Sequence, residues 1–156
     1  MTAISSGAAA KRDFARFLSE FDRPIQALAK AALAQLRKVT PGAMEFVYDN
    51  FYALVIGFGA DERASDAVLS LVIFPKKVSV CFIHGAKLPD PDHVLSGSGK
   101  QTRFVRVEDG KTLTRPAVKS ALVRAVAASR RPFDRKAKRK IEVRAALKRK
   151  FPRRPK

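Results

Sequence analysis

The hydrophobic period of this chain changes from helical to strand-like and back again, and that succession bounds the fold more tightly than any other feature. Phe14, Phe17, Leu18 and Phe21 recur at i, i+3, i+4, i+7, one stripe of a helix. Asp22 followed by Pro24 reads as a cap with proline in the first turn. Ile25, Leu28, Ala29, Ala32, Leu33 and Leu36 continue as a second amphipathic helix, which Thr40-Pro41-Gly42 stops. From Glu45 the period falls to two: Phe46, Tyr48, Asn50 and Tyr52 alternate with Val47, Asp49, Phe51 and Ala53, as in a strand. "AVLSLVIF" and "VSVCFIHG", joined by Pro75-Lys76-Lys77, predict an antiparallel hairpin rich in β-branched residues. "TRFVRV" adds a further strand. Thr114 then reads as the cap of a helix with Pro116 in its first turn and a core stripe of Val118, Ala121, Leu122, Ala125 and Val126. No internal repeat is visible.

Helices, then consecutive strands, then a helix predict an α+β domain: a mainly antiparallel sheet of about four to five strands with helices packed on one face. The absence of βαβ alternation argues against a doubly wound nucleotide fold. With 156 residues, 46% of them hydrophobic, the chain can bury one core. Its apolar runs fall short of the ~18 residues that cross a bilayer. The first ten residues, small and polar, read as a flexible N-terminus (1–10) without the features of a secretory signal. One cysteine, Cys81, allows no internal disulfide, and the expected location is the cytoplasm of a bacterium-like cell.

"HVLSGSGKQTRFVRV" places two glycines and a lysine before a strand. A Walker loop requires G-x-x-x-x-G-K-[ST] opening a helix. Here Val94 stands where the first glycine belongs and Gln101 where the hydroxyl belongs, and a strand follows. The loop therefore reads in one of two ways. Either Gly97, Gly99, Lys100 and Arg103 hold an anion in a nest of backbone N–H groups, or the glycines turn the chain between elements.

"FIHGAKLPDPDHVLSGSGKQTRFVRV", with "LRKVTPGAMEFVYDNF" upstream and "AVKSALVRAVAAS" downstream, resembles the YdhG-like bacterial family of unknown function. The matching positions are Phe82, Gly85, Ala86, Leu88, Asp90, Pro91, Gly97, Gly99, Lys100 and Arg103, with Glu45 in the strand before them. The resemblance covers roughly residues 12–129 and implies a small α+β fold similar to secretion-chaperone-like domains. One branch of that family is described as frataxin-like iron chaperones, which would make an iron-binding role the corresponding expectation.

The residues themselves offer little to metal or nucleophilic chemistry. Cys81, His84, Asp90, Asp92 and His93 are the clustered ligand types, but a separation of three puts Cys81 and His84 on opposite faces of a strand. No C-x-x-C or H-x-x-x-H spacing occurs. Asp61, Glu62 and Asp66 form a sparse acidic set on a chain of net charge +18. Cys81 sits in a core strand, where cysteine behaves as a small hydrophobe. Ser96 and Ser98 lack a nucleophile elbow. Glu45, Tyr48 and Asp49 could line a pocket, though alternation sends Tyr48 and Asp49 to opposite faces. The expectation is a non-enzymatic protein with no cofactor and no metal.

Charge is the strongest signal. Residues 1–129 carry 18 Lys+Arg against 12 Asp+Glu, and residues 130–156 carry 14 against 2. The chain thus divides into a YdhG-like α+β domain (11–129) and a basic tail (130–156), partly helical over 135–150 or disordered, with a thin apolar seam of Ile141, Ala145 and Leu147. The tail's Arg130, Arg131, Arg135, Lys136, Lys138, Arg139, Lys140, Arg144, Lys148, Arg149, Lys150, Arg153 and Arg154 would bind nucleic acid non-specifically, because each neutralised phosphate releases condensed counterions. A solvated tail and an anionic membrane surface are the competing readings. Base-specific recognition has no motif to carry it.

Overall fold

The computed structural model describes residues 3–154. Its elements run β1 (Ser5–Ser6), α1 (Gly7–Ser19), α2 (Arg23–Val39), β2 (Met44–Asp49), β3 (Leu54–Gly59), β4 (Leu69–Ile73), β5 (Val78–Phe82), β6 (Arg103–Val107), α3 (Pro116–Ala127) and β7 (Lys140–Ala146). The architecture is α+β, with one seven-stranded sheet in the order β1-β7-β2-β3-β4-β5-β6.

Strand pairing explains which side chains the helices meet. The register Val143–Val47–Ile56–Leu71–Val80–Val105 lays one buried apolar row across six strands. All three helices share a single buried cluster with that row and its neighbours. Phe14, Phe17 and Leu18 of α1 and Ile25, Ala29, Ala32, Leu33 and Leu36 of α2 are buried, as the i, i+3, i+4 spacing predicts. The Asp22 side chain caps α2 by accepting from the Ile25 N–H at 3.2 Å. In α3 the cap position falls on Arg115 rather than Thr114, whose hydroxyl donates to the Lys111 carbonyl instead.

Three expectations need correction. The sheet has seven strands and is mixed, because β7 pairs parallel to β2. Residues 1–10 are not a loose leader over their described part: β1 pairs antiparallel with β7, and α1 starts at Gly7. Most consequentially, the basic segment is neither a helix nor a free tail. Lys140–Ala146 is a strand built into the sheet. The reason lies in its own pattern, since Ile141 and Val143 alternate with Lys140, Glu142 and Arg144. Both β-branched residues are buried beneath α1, a period-two solution that a thin helical seam could not match.

Gly42 makes that docking possible. It adopts φ +70, and a Cβ there would lie 1.9 Å from the Asp134 carbonyl oxygen. Segment 130–139 therefore crosses directly over the turn between α2 and β2.

Candidate anion-binding surface

In β2, Glu45, Val47 and Asp49 all face the helices, and both carboxylates are 1% exposed. A buried carboxylate demands cations, and the C-terminal segment supplies them. Glu45 accepts from Arg37 Nε and Nη2 at 2.9 Å each and from Arg139 Nη1 at 2.8 Å. Arg139 also donates through Nη2 to the carbonyls of Arg37 and Thr40, at the C-terminal end of α2 where a positive charge complements the helix dipole. Asp49 accepts from Lys150 at 2.8 Å and from Arg153 at 2.7 Å. Lys150 also holds Glu20, and Arg154 donates to the Ser19 and Glu20 carbonyls at the end of α1. Arg153 is buried, its guanidinium 4.8 Å from the Phe21 ring centroid. Arg144, the bulged residue of β7, pairs with Glu142 at 2.7 Å and lies over the Phe46 ring.

Arg139, Arg144, Lys150, Arg153 and Arg154 therefore hold the fold together. Arg131 approaches Asp61 at 3.4 Å in a partly exposed pair that contributes little. The remainder are exposed and form no ion pair among the described residues. They fall into two groups at opposite ends of β7. Arg135, Lys136, Lys138 and Lys140 lie where β2 begins, with Arg130 at the same end of the sheet beside Val68 and His84, and Lys148 and Arg149 lie where β2 finishes. Seven residues of strand separate the groups by about 23 Å.

Two clefts adjoin these groups. The first, about 630 Å³, opens between α1 and α2. Phe14, Leu18, Leu33 and Ile141 form its apolar walls, the Arg37–Glu45–Arg139 cluster contributes polar lining, and Lys11, Lys30 and Lys140 are exposed around it. The second, about 570 Å³, lies at the far end of the sheet between the β2–β3 turn, the β4–β5 turn and the end of the chain. Tyr52, Phe74 and Phe151 line it with Lys76, Lys77 and Arg154. The Tyr52 and Phe151 rings sit 5.7 Å apart, and Phe51 and Tyr52 form a T-shaped pair.

The Gly-Ser-Gly-Lys loop stands apart from both. It precedes β6, at the sheet edge opposite β7, five interstrand steps or about 24 Å away. Gly97 adopts φ +120, and Lys100 is exposed. Arg103 Nη1 donates to the carbonyls of Gly99 (2.6 Å) and Thr102 (2.7 Å), so the loop's carbonyls are turned toward its own cation. Asp90 accepts from the Val94 and Leu95 N–H groups, while Asp92 and His93 face solvent. Gly85 packs so closely on Phe82 and Arg103 that a Cβ would fall 2.7 Å from the Arg103 Cβ.

Among the described residues no three His, Cys, Asp or Glu side chains are placed to share a metal ion. Burial pushes the Cys81 thiol up, partly offset by a hydrogen bond with Ser70, and a neutral thiol is a poor nucleophile. No helix among the described residues is long and apolar enough to cross a membrane. No protein-family model, curated protein or solved structure matches this chain.

Sequence reasoning overlooked the aromatic members of the second cleft and the structural duty of the tail's cations. A signal for the latter was present: Glu45 and Asp49, four apart on one face of a strand otherwise bound for the core, require buried partners.

Proposed function

We propose that this chain is a non-enzymatic domain that binds the phosphate backbone of nucleic acid without reading sequence. The observation that carries the proposal is the division of labour within residues 130–154. Arg139, Lys150 and Arg153 neutralise Glu45, Asp49 and Glu20, which fixes the segment onto the domain, while Arg130, Arg135, Lys136, Lys138, Lys140, Lys148 and Arg149 stay exposed without carboxylate partners among the described residues. A positive surface carried on segments anchored at both ends of β7 meets phosphates with less ordering cost than a free arm.

The residues behind the YdhG-like resemblance support reading that likeness as one of fold. Gly85 permits close packing, Asp90 fastens a turn, Arg103 ties the loop and Glu45 anchors the C-terminal segment. None of these roles is catalytic.

The test uses the whole chain. Changing Lys136, Lys138, Lys148 and Arg149 together to Gln removes four charges that make no ion pair among the described residues, so the melting curve should hold. Binding to a duplex should weaken, and the slope of log K against log salt should become shallower by about 0.9 for each phosphate no longer neutralised. Unchanged affinity and slope would overturn the proposal.

A second reading is a small anion held in the α1–α2 cleft, favoured by Lys11, Lys30 and Lys140 around its opening. The same cations disfavour iron. Under this reading phosphate or a nucleotide should raise the melting temperature of the whole chain, and Lys30→Gln should abolish the shift.

A further inference from the structure

The second cleft differs from the rest of the basic surface in a way that bears on the kind of nucleic acid bound. Its lining combines exposed aromatic rings with cations. Tyr52 is 63% and Phe151 48% exposed, unusual for large apolar side chains on a chain whose other Phe residues are mostly buried. Both are held in place rather than dangling. The β2–β3 turn carrying Tyr52 is closed by the Asn50 N–H bonding to the Ala53 carbonyl, and the Phe51 and Tyr52 rings meet at 90° with centroids 4.7 Å apart. The Phe151 N–H donates to the Phe51 carbonyl at 2.9 Å, beside the Lys150 and Arg153 anchors. Phe74 opens the tight β4–β5 turn, with the Lys77 ammonium 5.0 Å from its ring centroid.

Presented rings flanked by Lys76, Lys77 and Arg154 offer a face to an aromatic ligand and charge to an anionic one. A second copy of this chain would bring the same three cations against themselves. An aliphatic ligand would have no use for ring faces. A duplex keeps its base faces stacked inside and presents only phosphates, sugars and base edges, so it has no face for the rings. The ligand that uses both features is an unpaired nucleotide within a strand, its base against the rings and its phosphates on the cations.

We infer that the cleft formed by Tyr52, Phe74 and Phe151 is a base-stacking site, and that the natural polyanion is single-stranded nucleic acid. This rests on the phosphate-binding reading above and narrows it.

The experiment is fluorescence anisotropy of the full chain with a labelled 20-nucleotide oligo-dT and, separately, a 20-base-pair duplex in the same low-salt buffer. Tyr52→Ala with Phe151→Ala removes exposed rings, so folding should be retained. The double variant should bind the single strand about 5- to 100-fold more weakly and the duplex unchanged. A direct readout comes from the chain itself, which has two Tyr and no Trp. Stacking on Tyr52 should quench tyrosine emission when oligo-dT is added, and Tyr52→Phe should keep binding while losing that quenching. Equal loss for single strand and duplex, or no loss for either, overturns the stacking inference and leaves phosphate binding intact. Failure of the native chain to bind either polynucleotide in low salt overturns both. Should an acidic peptide bind there and oligo-dT not, the inference is likewise overturned.

Discussion

Arg139 reaches Glu45 across 94 positions of chain and places its Nη1 2.8 Å from the Glu45 Oε2. The contact is the point at which the basic segment stops being an appendage. Glu45 is buried between Ile141 and Phe58 along its sheet row, so its charge is tolerable only with guanidinium groups against it. Arg139→Ala leaves Arg37 as the remaining cation and removes a donor from the end of α2. The expected loss is about 3 kcal/mol, the low end for breaking a buried pair. In a domain of this size that lowers Tm by about 6–12 °C. A calorimetric melt checks it, and a loss below about 1 kcal/mol would mean that Arg37 alone suffices.

The parts of this fold that were legible in sequence are those fixed by neighbours in sequence. The Phe14–Leu18 stripe, the Asp22 cap and the β4–β5 hairpin around Pro75 depend on residues within a turn or two of one another, and each is found in the structure. β7 was missed because its partner β2 lies far away: Lys140 pairs with Met44, and no local pattern announces a parallel neighbour. Dense charge also hid the alternation of Ile141 and Val143. Reading the alternation over residues 46–53 as one strand failed for a similar reason. The apolar run continues through residues 50–53, where the chain in fact turns. The aromatic cleft is assembled from three separate turns and segments, so its members had no common spacing to betray them.

Gly42 supplies a sharper test of how the segment docks. Its φ of +70 is unfavourable for any residue with a Cβ, and the space a methyl group needs is already taken by the Asp134 carbonyl. Gly42→Ala should cost more than about 1 kcal/mol, since strain and displacement of backbone act together. Gly99→Ala is the control, because nothing lies within 4 Å of a Cβ there. Denaturant titration of both variants should separate them clearly, and equal stabilities would refute the close crossing at Gly42.

Acid should act partly through Asp13, which ties α1 to the N-terminal strand. The Ser5 hydroxyl donates to its Oδ2 at 2.7 Å, and the Ser5 bond, with Arg16 beside it, holds the carboxyl below the usual aspartate range. A folded-state pKa below the unfolded one contributes stability at neutral pH. That contribution begins to fade as the pH falls below about 4 and is gone once the pH passes the folded pKa. Ser5→Ala should raise the Asp13 pKa toward the ordinary value, read from the carboxyl carbon shift by NMR. No movement would show that the hydroxyl is not what holds it.

The final prediction concerns the whole segment. Removing residues 130–156 takes Ile141 and Val143 out of the core, each a loss of roughly 1.5–3 kcal/mol. It strips Asp49 of both its cations, Lys150 and Arg153, and leaves Glu45 with one. Wherever either carboxylate stays out of water without its cations the cost is several kcal/mol more, and β2 becomes an exposed edge open to pairing with other chains. Set against a typical total stability of about 5–15 kcal/mol, these losses together exceed what a domain of this kind can absorb. The chain ending at Ser129 should therefore show no cooperative thermal transition by circular dichroism and should aggregate on concentration. A sharp melt near that of the full chain would mean that the strand is dispensable. The same reasoning decides how binding is dissected: a fall in nucleic-acid affinity on truncation would report unfolding as readily as missing phosphate-binding cations. The exposed Lys136, Lys138, Lys148 and Arg149 can be neutralised without disturbing an ion pair among the described residues, and only their removal separates the two causes.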